Sequence, residues 1–336
     1  MDAIYIATGD DFAKAIRNGS TWDVRRTLED AGVQCLAVHP RDPDVVFAGS
    51  RGRGVWCSRD GGDSWRETSF PQPDVFSVAV SAADEAVYAG CEPSALFVSR
   101  DLGESWQELE ALKSIPSAPE WSFPPRPWTS HVRWIAPCPH NADLLLVGIE
   151  LGGLMRSADG GRTWSDHRPG AQPDVHAIAW HPRVPGRAYE AGGGGAAWSR
   201  DGGETWHPAD EGREHDYTWA LAVDSEDPEC WFVSAAPGPM EAHDNDKSAQ
   251  ARLYRWHVNG HWEPLDRLPQ PLDSFPYALA VSSSGLVAGL GDGRLWFSSD
   301  KGDSWELLNL RGDALSSIRA LAWAAAVIPA RHPGPS

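Results

Sequence analysis

The chain has 336 residues, with 47 acidic against 29 basic side chains and a formal net charge of −18 at neutral pH. Nucleic acids and anionic membranes favour basic surfaces, so this charge argues against both as general partners. The five scattered cysteines form no Cys-x-x-Cys pair, which favours buried thiols over disulfides or a cysteine-ligated metal. Because no secretory leader or membrane-spanning stretch is evident, we expect a soluble, cytoplasmic protein.

The predicted strands follow one another in groups of four. Each strand is short, rich in β-branched or aromatic residues, and bounded by Gly, Pro or Asp. The groups run over residues 4–22, 33–65, 75–106, 132–164, 175–206, 218–262 and 276–305. A further strand over 318–323 has no group of its own, and it matches the first strands of the other groups.

Five groups contain the same eight-residue pattern, Ser-x-Asp-x-Gly-x-Ser/Thr-Trp. Its Asp can accept hydrogen bonds from backbone N–H groups of a tight turn, and its Gly can adopt positive φ. Its Trp can pack a large ring against the neighbouring group. The five aspartates, to which we assign a structural role, are Asp60, Asp101, Asp159, Asp201 and Asp300. The other two groups carry Asn-Gly turns at 18–19 and 259–260 instead.

This pattern resembles the Asp box, also called the BNR repeat, of sialidases, sortilin-like receptors, xyloglucanases and photosystem II assembly factors. In those families the box lies between the third and fourth strands of a β-propeller blade, away from the ligand. The resemblance covers almost the whole chain and implies an all-β propeller. It leaves the activity open, because these families include enzymes, receptors and assembly factors.

Seven tryptophans at equivalent positions predict seven blades: Trp22, Trp65, Trp106, Trp164, Trp206, Trp262 and Trp305. The first group lacks an inner strand, and we expect strand 318–323 to fill that place beside residues 3–7. This pairing closes the ring and removes exposed sheet edges. Residues 1–336 therefore form one seven-bladed domain, with a loose tail from about residue 324.

Two long insertions, residues 112–130 and 236–250, are expected on the same face of the ring, opposite the Asp boxes. The first is rich in proline and tryptophan, and the second contains Glu241, His243, Asp244 and Asp246. Loops of this kind usually carry function, so we expect a central funnel on this face, with the insertions forming its rim.

One position of the inner strands varies in chemistry while its neighbours stay small or apolar. It lies two residues before a Leu/Ile/Val-Ala pair that recurs in the inner strands, and it holds Gln34, Phe76, Arg133, His176, Trp219, Tyr277 and Arg319. We expect these side chains to line the funnel together with residues from adjacent turns. The predicted ligand-binding residues are Arg133, Arg319, Arg51, Arg53, Trp219, Tyr217 and His131; the predicted catalytic residues are His176, Tyr277 and Glu150.

Two arginines and a histidine in an acidic protein predict a site for a carboxylate, sulfate or phosphate. The sequence favours a small anionic or carbohydrate ligand, with a glycosidase-like hydrolase or lyase as one reading. Sialidases require an arginine triad and a Tyr–Glu pair, and the predicted site residues include arginines, a tyrosine and a glutamate that could fill these roles. However, the Phe/Tyr-Arg-Ile-Pro element of sialidases is missing, and seven blades differ from their six.

Two alternatives remain open at this point. Arg133 and Arg319 could pair with carboxylates and merely seal the channel, in which case the protein is a non-catalytic scaffold for a protein partner. A divalent metal in the funnel is also possible, held by His131, His215 or His243 with Glu150 or Glu241. No cofactor is required by the sequence, and the spacing matches no known metal motif.

Overall fold

A computed structural model describes residues 2–123, 129–244, 248–257 and 260–324. Several features of the sequence lie outside these described residues. They are the middle of the first insertion (124–128), Asp246 of the second insertion, Asn259 of the second Asn-Gly turn, and the predicted tail from residue 325 onward.

The strands form seven mainly antiparallel sheets arranged in a ring, so the protein is a seven-bladed β-propeller, as predicted. Blade 1 contains β1 (Ala3–Ala7), β2 (Phe12–Asn18) and β3 (Thr21–Thr27). Blade 2 contains β4 (Val33–Val38), β5 (Val46–Ser50), β6 (Gly54–Ser58) and β7 (Arg66–Glu67). Blade 3 contains β8 (Val75–Val80), β9 (Val87–Cys91), β10 (Leu96–Ser99) and β11 (Gln107–Glu108).

The remaining blades repeat this order from the centre outward. Blade 4 contains β12 (Val132–Pro137), β13 (Leu145–Ile149) and β14 (Gly153–Ser157). Blade 5 contains β15 (Val175–Trp180), β16 (Ala188–Gly192), β17 (Gly195–Ser199) and β18 (His207–Pro208). Blade 6 contains β19 (Tyr217–Val223), β20 (Trp231–Ala236), β21 (Arg252–His257) and β22 (His261–Pro264). Blade 7 contains β23 (Pro276–Ser282), β24 (Gly285–Leu290), β25 (Leu295–Ser298) and β26 (Glu306–Leu307).

The chain ends of the described region close the ring at blade 1. Two last strands follow blade 7, β27 (Leu310–Gly312) and β28 (Ala320–Trp323). β28 pairs antiparallel with β1, with Ile4 opposite Trp323 and Ala7 opposite Ala320, so the predicted closure is confirmed. β27 adds a parallel fifth strand outside β3, which the sequence pattern did not predict.

Helices are few in the described residues. Two short 3-10 helices, Glu110–Ser114 and Ala118–Glu120, lie at the start of the first insertion and within it, and the second insertion contains α1 (Pro239–His243). Among the described helices, none combines the length and apolar character that crossing a membrane requires.

The Asp boxes form the turns between the third and fourth strands of five blades. In the blade 5 box, the Asp201 carboxylate accepts hydrogen bonds from the Ser199 hydroxyl (2.8 Å), the Thr205 N–H (3.0 Å) and the Thr205 hydroxyl (2.6 Å). These hydrogen bonds outweigh the effect of burial and lower the pKa of Asp201 to about 2. The fourth strands begin one residue after the box Trp, and blade 4 keeps only a single bridge between Arg156 and Ser165.

Close packing between blades relies on a glycine in the second strand. A Cβ on Gly148 would lie 2.4 Å from Val175 Cγ1 of the next blade, and one on Gly90 would lie 2.5 Å from Val132 Cγ1. A larger residue would push the next inner strand away, because interiors are close-packed. All five cysteines are free thiols; four are buried as expected and Cys35 is partly buried, and desolvation raises the pKa of Cys35 to about 12.

Each inner strand of blades 2 to 7 has a register shift at the position of variable chemistry. Pairing between β12 and β13, for example, skips from Val132 to Trp134, and pairing between β15 and β16 skips from Val175 to Ala177. The shifts in the other four blades fall at Gln34, Phe76, Trp219 and Tyr277. A β-bulge leaves its extra residue outside the ladder and redirects its side chain. The fold therefore presents an irregular position of the inner strand to the central channel in each of blades 2 to 7.

Candidate ligand-binding site

A cavity of about 540 Å³ opens at the centre of the ring, on the face that carries both insertions. The first insertion contributes Phe123 to its wall, and the second contributes Pro239 and His243. The remaining lining residues are Gln34, Arg51, Phe76, His131, Arg133, Glu150, Leu151, Asp174, Tyr217, Trp219, Tyr277 and Arg319. The insertions thus build up the rim of a funnel, as the sequence indicated.

A second cavity of about 290 Å³ continues along the central channel. Its wall contains all seven residues of the variable position, and below them the small and apolar residues of the inner strands, such as Ala79 and Leu279. Six of the seven residues also line the upper cavity, so they form the neck between the two. The exception is His176, which lines only the lower cavity and is fully buried.

Three arginines at the upper cavity each lie over an aromatic ring. The distances from guanidinium carbon to ring centroid are 4.6 Å for Arg51 over Phe76, 4.5 Å for Arg133 over Trp219, and 4.5 Å for Arg319 over Tyr277. In each pair the ring comes from a different blade. Stacking of this kind holds a guanidinium group in place while its edge stays available for hydrogen bonds.

The charge environment differs between two of these arginines. Arg133 is mostly buried, and its Nε lies 3.5 Å from the Glu150 carboxylate. Arg319 is exposed to the cavity, and among the described residues no carboxylate lies within ion-pairing distance of it. An anion site requires that carboxylates do not neutralise both arginines. Arg319 meets this requirement, because within the part of the chain that the structure describes only Arg133 of the two is paired with a carboxylate.

Glu150 lies at the centre of a buried charged network. Its Oε2 accepts a 2.5 Å hydrogen bond from His131 Nε2, and the other nitrogen of His131 lies 3.7 Å from Glu92 Oε2. Burial would raise the pKa of Glu150, but the hydrogen bond from His131 and the charges of Arg133 and His131 lower it to about 2. Glu150 is therefore a carboxylate at neutral pH and cannot serve as a proton donor there.

A chain of hydrogen bonds links two phenols through His243, which is exposed at the mouth of the cavity. Tyr217 Oη lies 2.8 Å from His243 Nε2, His243 Nδ1 lies 3.0 Å from Tyr277 Oη, and Tyr277 donates to the Ala242 carbonyl at 3.1 Å. Desolvation is the largest cause of the lowered pKa of His243. A neutral imidazole that accepts from Tyr217 and donates to Tyr277 satisfies every member of this chain.

His176 and Asp174 lie beside Glu150 at the junction of blades 4 and 5. His176 Nδ1 donates a 2.6 Å hydrogen bond to the Thr218 carbonyl, and its Nε2 lies 3.4 Å from Asp174 Oδ2. The other carboxylate oxygen of Asp174 accepts the Leu151 N–H at 3.3 Å. One ligand atom each from Glu150, Asp174 and His176 lies within 4.8 Å of the others.

Comparisons with known proteins agree with this architecture. The BNR/Asp-box repeat family model matches residues 197–208, which include the box of blade 5. The chain is an Asp-box β-propeller. No curated protein sequence matches this propeller.

The solved structures with a fold similar to this Asp-box propeller include a GH74 xyloglucanase, YCF48 and U3-55K. The GH74 xyloglucanase from Xanthomonas campestris has a TM-score of 0.65 at 16% identity, with 96% of this chain and 52% of that chain covered. YCF48 bound to D1 peptide has a TM-score of 0.58 at 16% identity, with 88% and 85% covered. U3-55K has a TM-score of 0.61 at 13% identity, with 94% and 89% covered. At these identities the likeness shows the fold alone.

The propeller spans less than half of the first two GH74 enzymes to which it is similar. It covers 38% of an ancestral GH74 enzyme and 45% of the Niastella koreensis GH74 enzyme, with TM-scores of 0.61 and 0.63. Any activity of this chain must therefore be argued from its own cavity.

The structure brings most of the predicted site residues together. Eight of the ten line the upper cavity: Tyr277, Glu150, Arg133, Arg319, Arg51, Trp219, Tyr217 and His131. His176 lines the lower cavity, and Arg53 is exposed and lines neither. Of the residues considered for a metal, His215 and Glu241 are also outside both cavities.

Two residues of the site were not among the predicted catalytic and ligand-binding residues, although His243 was considered as an alternative metal ligand. Asp174 occupies the position two residues before the variable one, so the repeat alignment contained a signal for it. His243 lies in an insertion that no other blade repeats, and the sequence offered only its residue type as a signal. Its contact with both phenols depends on how α1 folds over blades 6 and 7.

Proposed function

We propose that this Asp-box propeller binds a small anionic ligand, of the carbohydrate-acid type, in its upper cavity. The single observation that supports this proposal is the set of three ring-stacked guanidinium groups around one cavity of a protein with net charge −18. Arg319 is the main carboxylate ligand in this proposal, because it has no acidic partner among the described residues. Arg133 assists from the neck.

The physical basis is the match between guanidinium and carboxylate groups. A planar guanidinium group donates two parallel hydrogen bonds to a carboxylate, and partial exclusion of water strengthens them. The stacking of Arg319 on Tyr277 limits the conformations of the guanidinium group before the ligand binds, which lowers the entropy cost of binding. A cavity of about 540 Å³ has the size of a typical small-molecule site.

A hydrolase or lyase reaction on such a ligand is the catalytic form of the proposal. Glu150 would act as a fixed carboxylate rather than an acid, because its pKa is lowered to about 2. The hydrogen-bonded Tyr217–His243–Tyr277 chain supports proton transfer at the rim, since a neutral imidazole can accept a proton on one nitrogen. His176, buried in the lower cavity, would support the site rather than contact the ligand.

A protein-interaction scaffold is the second candidate. It is favoured by two exposed apolar side chains close to the funnel, Met240 of α1 and Leu151, which lines the upper cavity. YCF48, which has a similar fold, is bound to D1 peptide, and this supports a peptide as the partner of such a scaffold. Such a scaffold needs no anion selectivity in the cavity.

Isothermal titration calorimetry with glucuronate, galacturonate, their oligomers, sulfate and phosphate tests the proposal. We expect Arg319→Ala to weaken binding of the preferred anion by roughly ten- to a hundredfold, since a charged hydrogen bond contributes about 1.5–3 kcal/mol. The matched control is Arg200→Ala, because Arg200 is stacked at 4.4 Å on Trp198 but lines neither cavity.

The outcomes separate the candidates. Binding that Arg319→Ala and Arg133→Ala weaken, and that Arg200→Ala leaves unchanged, supports the anion site. Turnover of an acidic oligosaccharide would support the hypothesis that the protein is also an enzyme. The scaffold hypothesis replaces ours if no anion binds and peptides bind instead. In that case Met240→Ser should weaken peptide binding, and Arg319→Ala should leave it unchanged.

A further inference from the structure

Beyond the anion site, we infer that Glu150, Asp174 and His176 form a binding site for one first-row divalent cation, such as Mn²⁺ or Zn²⁺, in the wall of the funnel. The three residues come from adjacent blades, and one ligand atom from each lies within 4.8 Å of the others. Ligands around a tetrahedral ion at about 2.1 Å lie about 3.4 Å from one another. His176 Nε2 and Asp174 Oδ2 are already 3.4 Å apart, and a movement of the Glu150 carboxylate by about 1 Å would bring the third ligand to the same ion.

The orientation of His176 supports this site independently of the acidic residues. The side chain is fully buried, and its Nδ1 donates to the Thr218 carbonyl at 2.6 Å, which fixes the tautomer of a neutral ring. Its Nε2 has no hydrogen-bond partner among the described residues and lies 3.4 Å from Asp174 Oδ2. A lone pair this close to a carboxylate oxygen is repulsive unless a cation lies between them. Metal-binding histidines typically donate their other nitrogen in this manner.

The two carboxylates are also held as ligands. Asp174 Oδ1 accepts the Leu151 N–H at 3.3 Å, so Oδ2 is the oxygen that faces His176. Glu150 Oε2 accepts the His131 hydrogen bond, which orients the carboxylate group. A Cβ on Gly193 would lie 2.1 Å from Asp174 Oδ2, so this glycine leaves the space that the oxygen occupies.

The donor set and the charge of the cluster define the kind of cation. One imidazole and two carboxylates form a mixed nitrogen and oxygen donor set. Mn²⁺, Fe²⁺ and Zn²⁺ accept such a set, whereas an all-oxygen site would favour Mg²⁺ or Ca²⁺. Two negative charges balance a divalent ion, while Arg133 lies on the Glu150 side of the cluster. Three protein ligands leave further coordination positions, which water or a ligand in the funnel can fill.

The test measures binding of Mn²⁺, Zn²⁺ and Co²⁺ alone to the chelator-treated full chain, by calorimetry and by the visible absorption of Co²⁺. We expect one equivalent of metal per chain and a raised Tm. Asp174→Asn keeps the size of the side chain and its acceptor for Leu151 N–H, and it should weaken metal binding at least tenfold. The control is Asp143→Asn, since Asp143 is exposed and lines neither cavity.

If Asp174→Asn does not fold, Glu150→Gln provides the second variant, and thermal melting checks both. The alternative cation is a proton, which would make His176 an imidazolium. In that case ¹⁵N spectra of the chelator-treated protein at neutral pH show both His176 nitrogens protonated, no stoichiometric metal binds, and the inference is overturned. Stoichiometric binding that Asp174→Asn and Glu150→Gln leave unchanged overturns it as well. Neither result depends on whether the funnel binds anions.

Discussion

Glu190 provides a quantitative test of how this propeller responds to pH. It is fully buried in β16, where one carboxyl oxygen accepts the Gln172 N–H at 3.0 Å. The other oxygen has no hydrogen-bond partner among the described residues. Burial raises the pKa of Glu190 from 4.5 to about 8, and the hydrogen bond from Gln172 opposes this only in part. The folded protein therefore keeps Glu190 protonated at neutral pH.

The sign of the effect on stability follows from proton linkage. Below pH 4.5 Glu190 is protonated in both states, so its contribution does not change with pH. Between pH 4.5 and about 8 the unfolded chain loses the proton while the folded chain keeps it, which costs about 1.4 kcal/mol of stability per pH unit. At pH 7 the loss amounts to about 3 kcal/mol. Above about pH 8 both states are ionised and the loss no longer grows.

Glu190→Gln removes the ionisation and keeps both the shape and the acceptor for Gln172 N–H. We expect the variant to match the wild type near pH 4.5 and to be more stable by about 3 kcal/mol at pH 7. Urea unfolding at pH 5, 6, 7 and 8 measures the difference. Glu67→Gln is the control, because Glu67 is an exposed strand residue. Parallel stability curves for Glu190→Gln and wild type would refute the reasoning and would mean that Glu190 is ionised in the folded state.

Two further predictions concern the architecture. Asp201→Ala should destabilise the protein by about 1–3 kcal/mol in urea unfolding, because the turn loses its hydrogen bonds, and should leave ligand binding unchanged; full stability with lost binding would contradict this. A chain truncated before residue 318 lacks β28 and exposes the edge of β1, so it should aggregate in size-exclusion chromatography, whereas a chain truncated after residue 324 should elute and unfold like the full chain. Equal behaviour of the two truncations would show that β28 does not close the ring.

The number of blades and the closure could be predicted because the sequence repeats them. An Asp box or an Asn-Gly turn marks the last hairpin of each blade, and the spare strand at 318–323 matches the missing inner strand of blade 1. β27 could not be predicted in this way, because its three residues have no equivalent in other blades and pair in parallel. A sequence repeat therefore predicts the strands that all blades share, and it does not predict a strand that only one blade has.

The contacts within the cavity could be predicted only as far as the repeat positions them. The variable position correctly placed Arg133 and Arg319 at the neck of the funnel. The stacking of Arg133 on Trp219 reaches over the blade that carries His176, and no sequence spacing encodes it. The contact of His243 with two phenols depends on the path of an insertion. Tertiary geometry rather than local pattern decides such contacts.

Glu190 shows that the repeat contained a signal that residue types alone did not reveal. The second-strand residue opposite the apolar member of the inner-strand pair is Ala48, Ala89, Val147, Glu190, Val233 and Ala288 in blades 2 to 7. Five of these are small or branched apolar residues, and one is an acid. A buried acid in an otherwise apolar position lowers stability unless it is paired.

The bulge position and the Glu190 position therefore have opposite consequences for substitution. A bulged residue lies outside the ladder and faces the channel, so its side chain is not needed for strand pairing and can differ from blade to blade. Changes at a bulged residue should then alter the channel before they alter the free energy of unfolding, except at Arg133, whose charge also stabilises the buried Glu150 carboxylate. A residue in the register of Glu190 packs between blades, where substitution changes stability first. The same repeat alignment thus separates residues that shape the site from residues that hold the ring together.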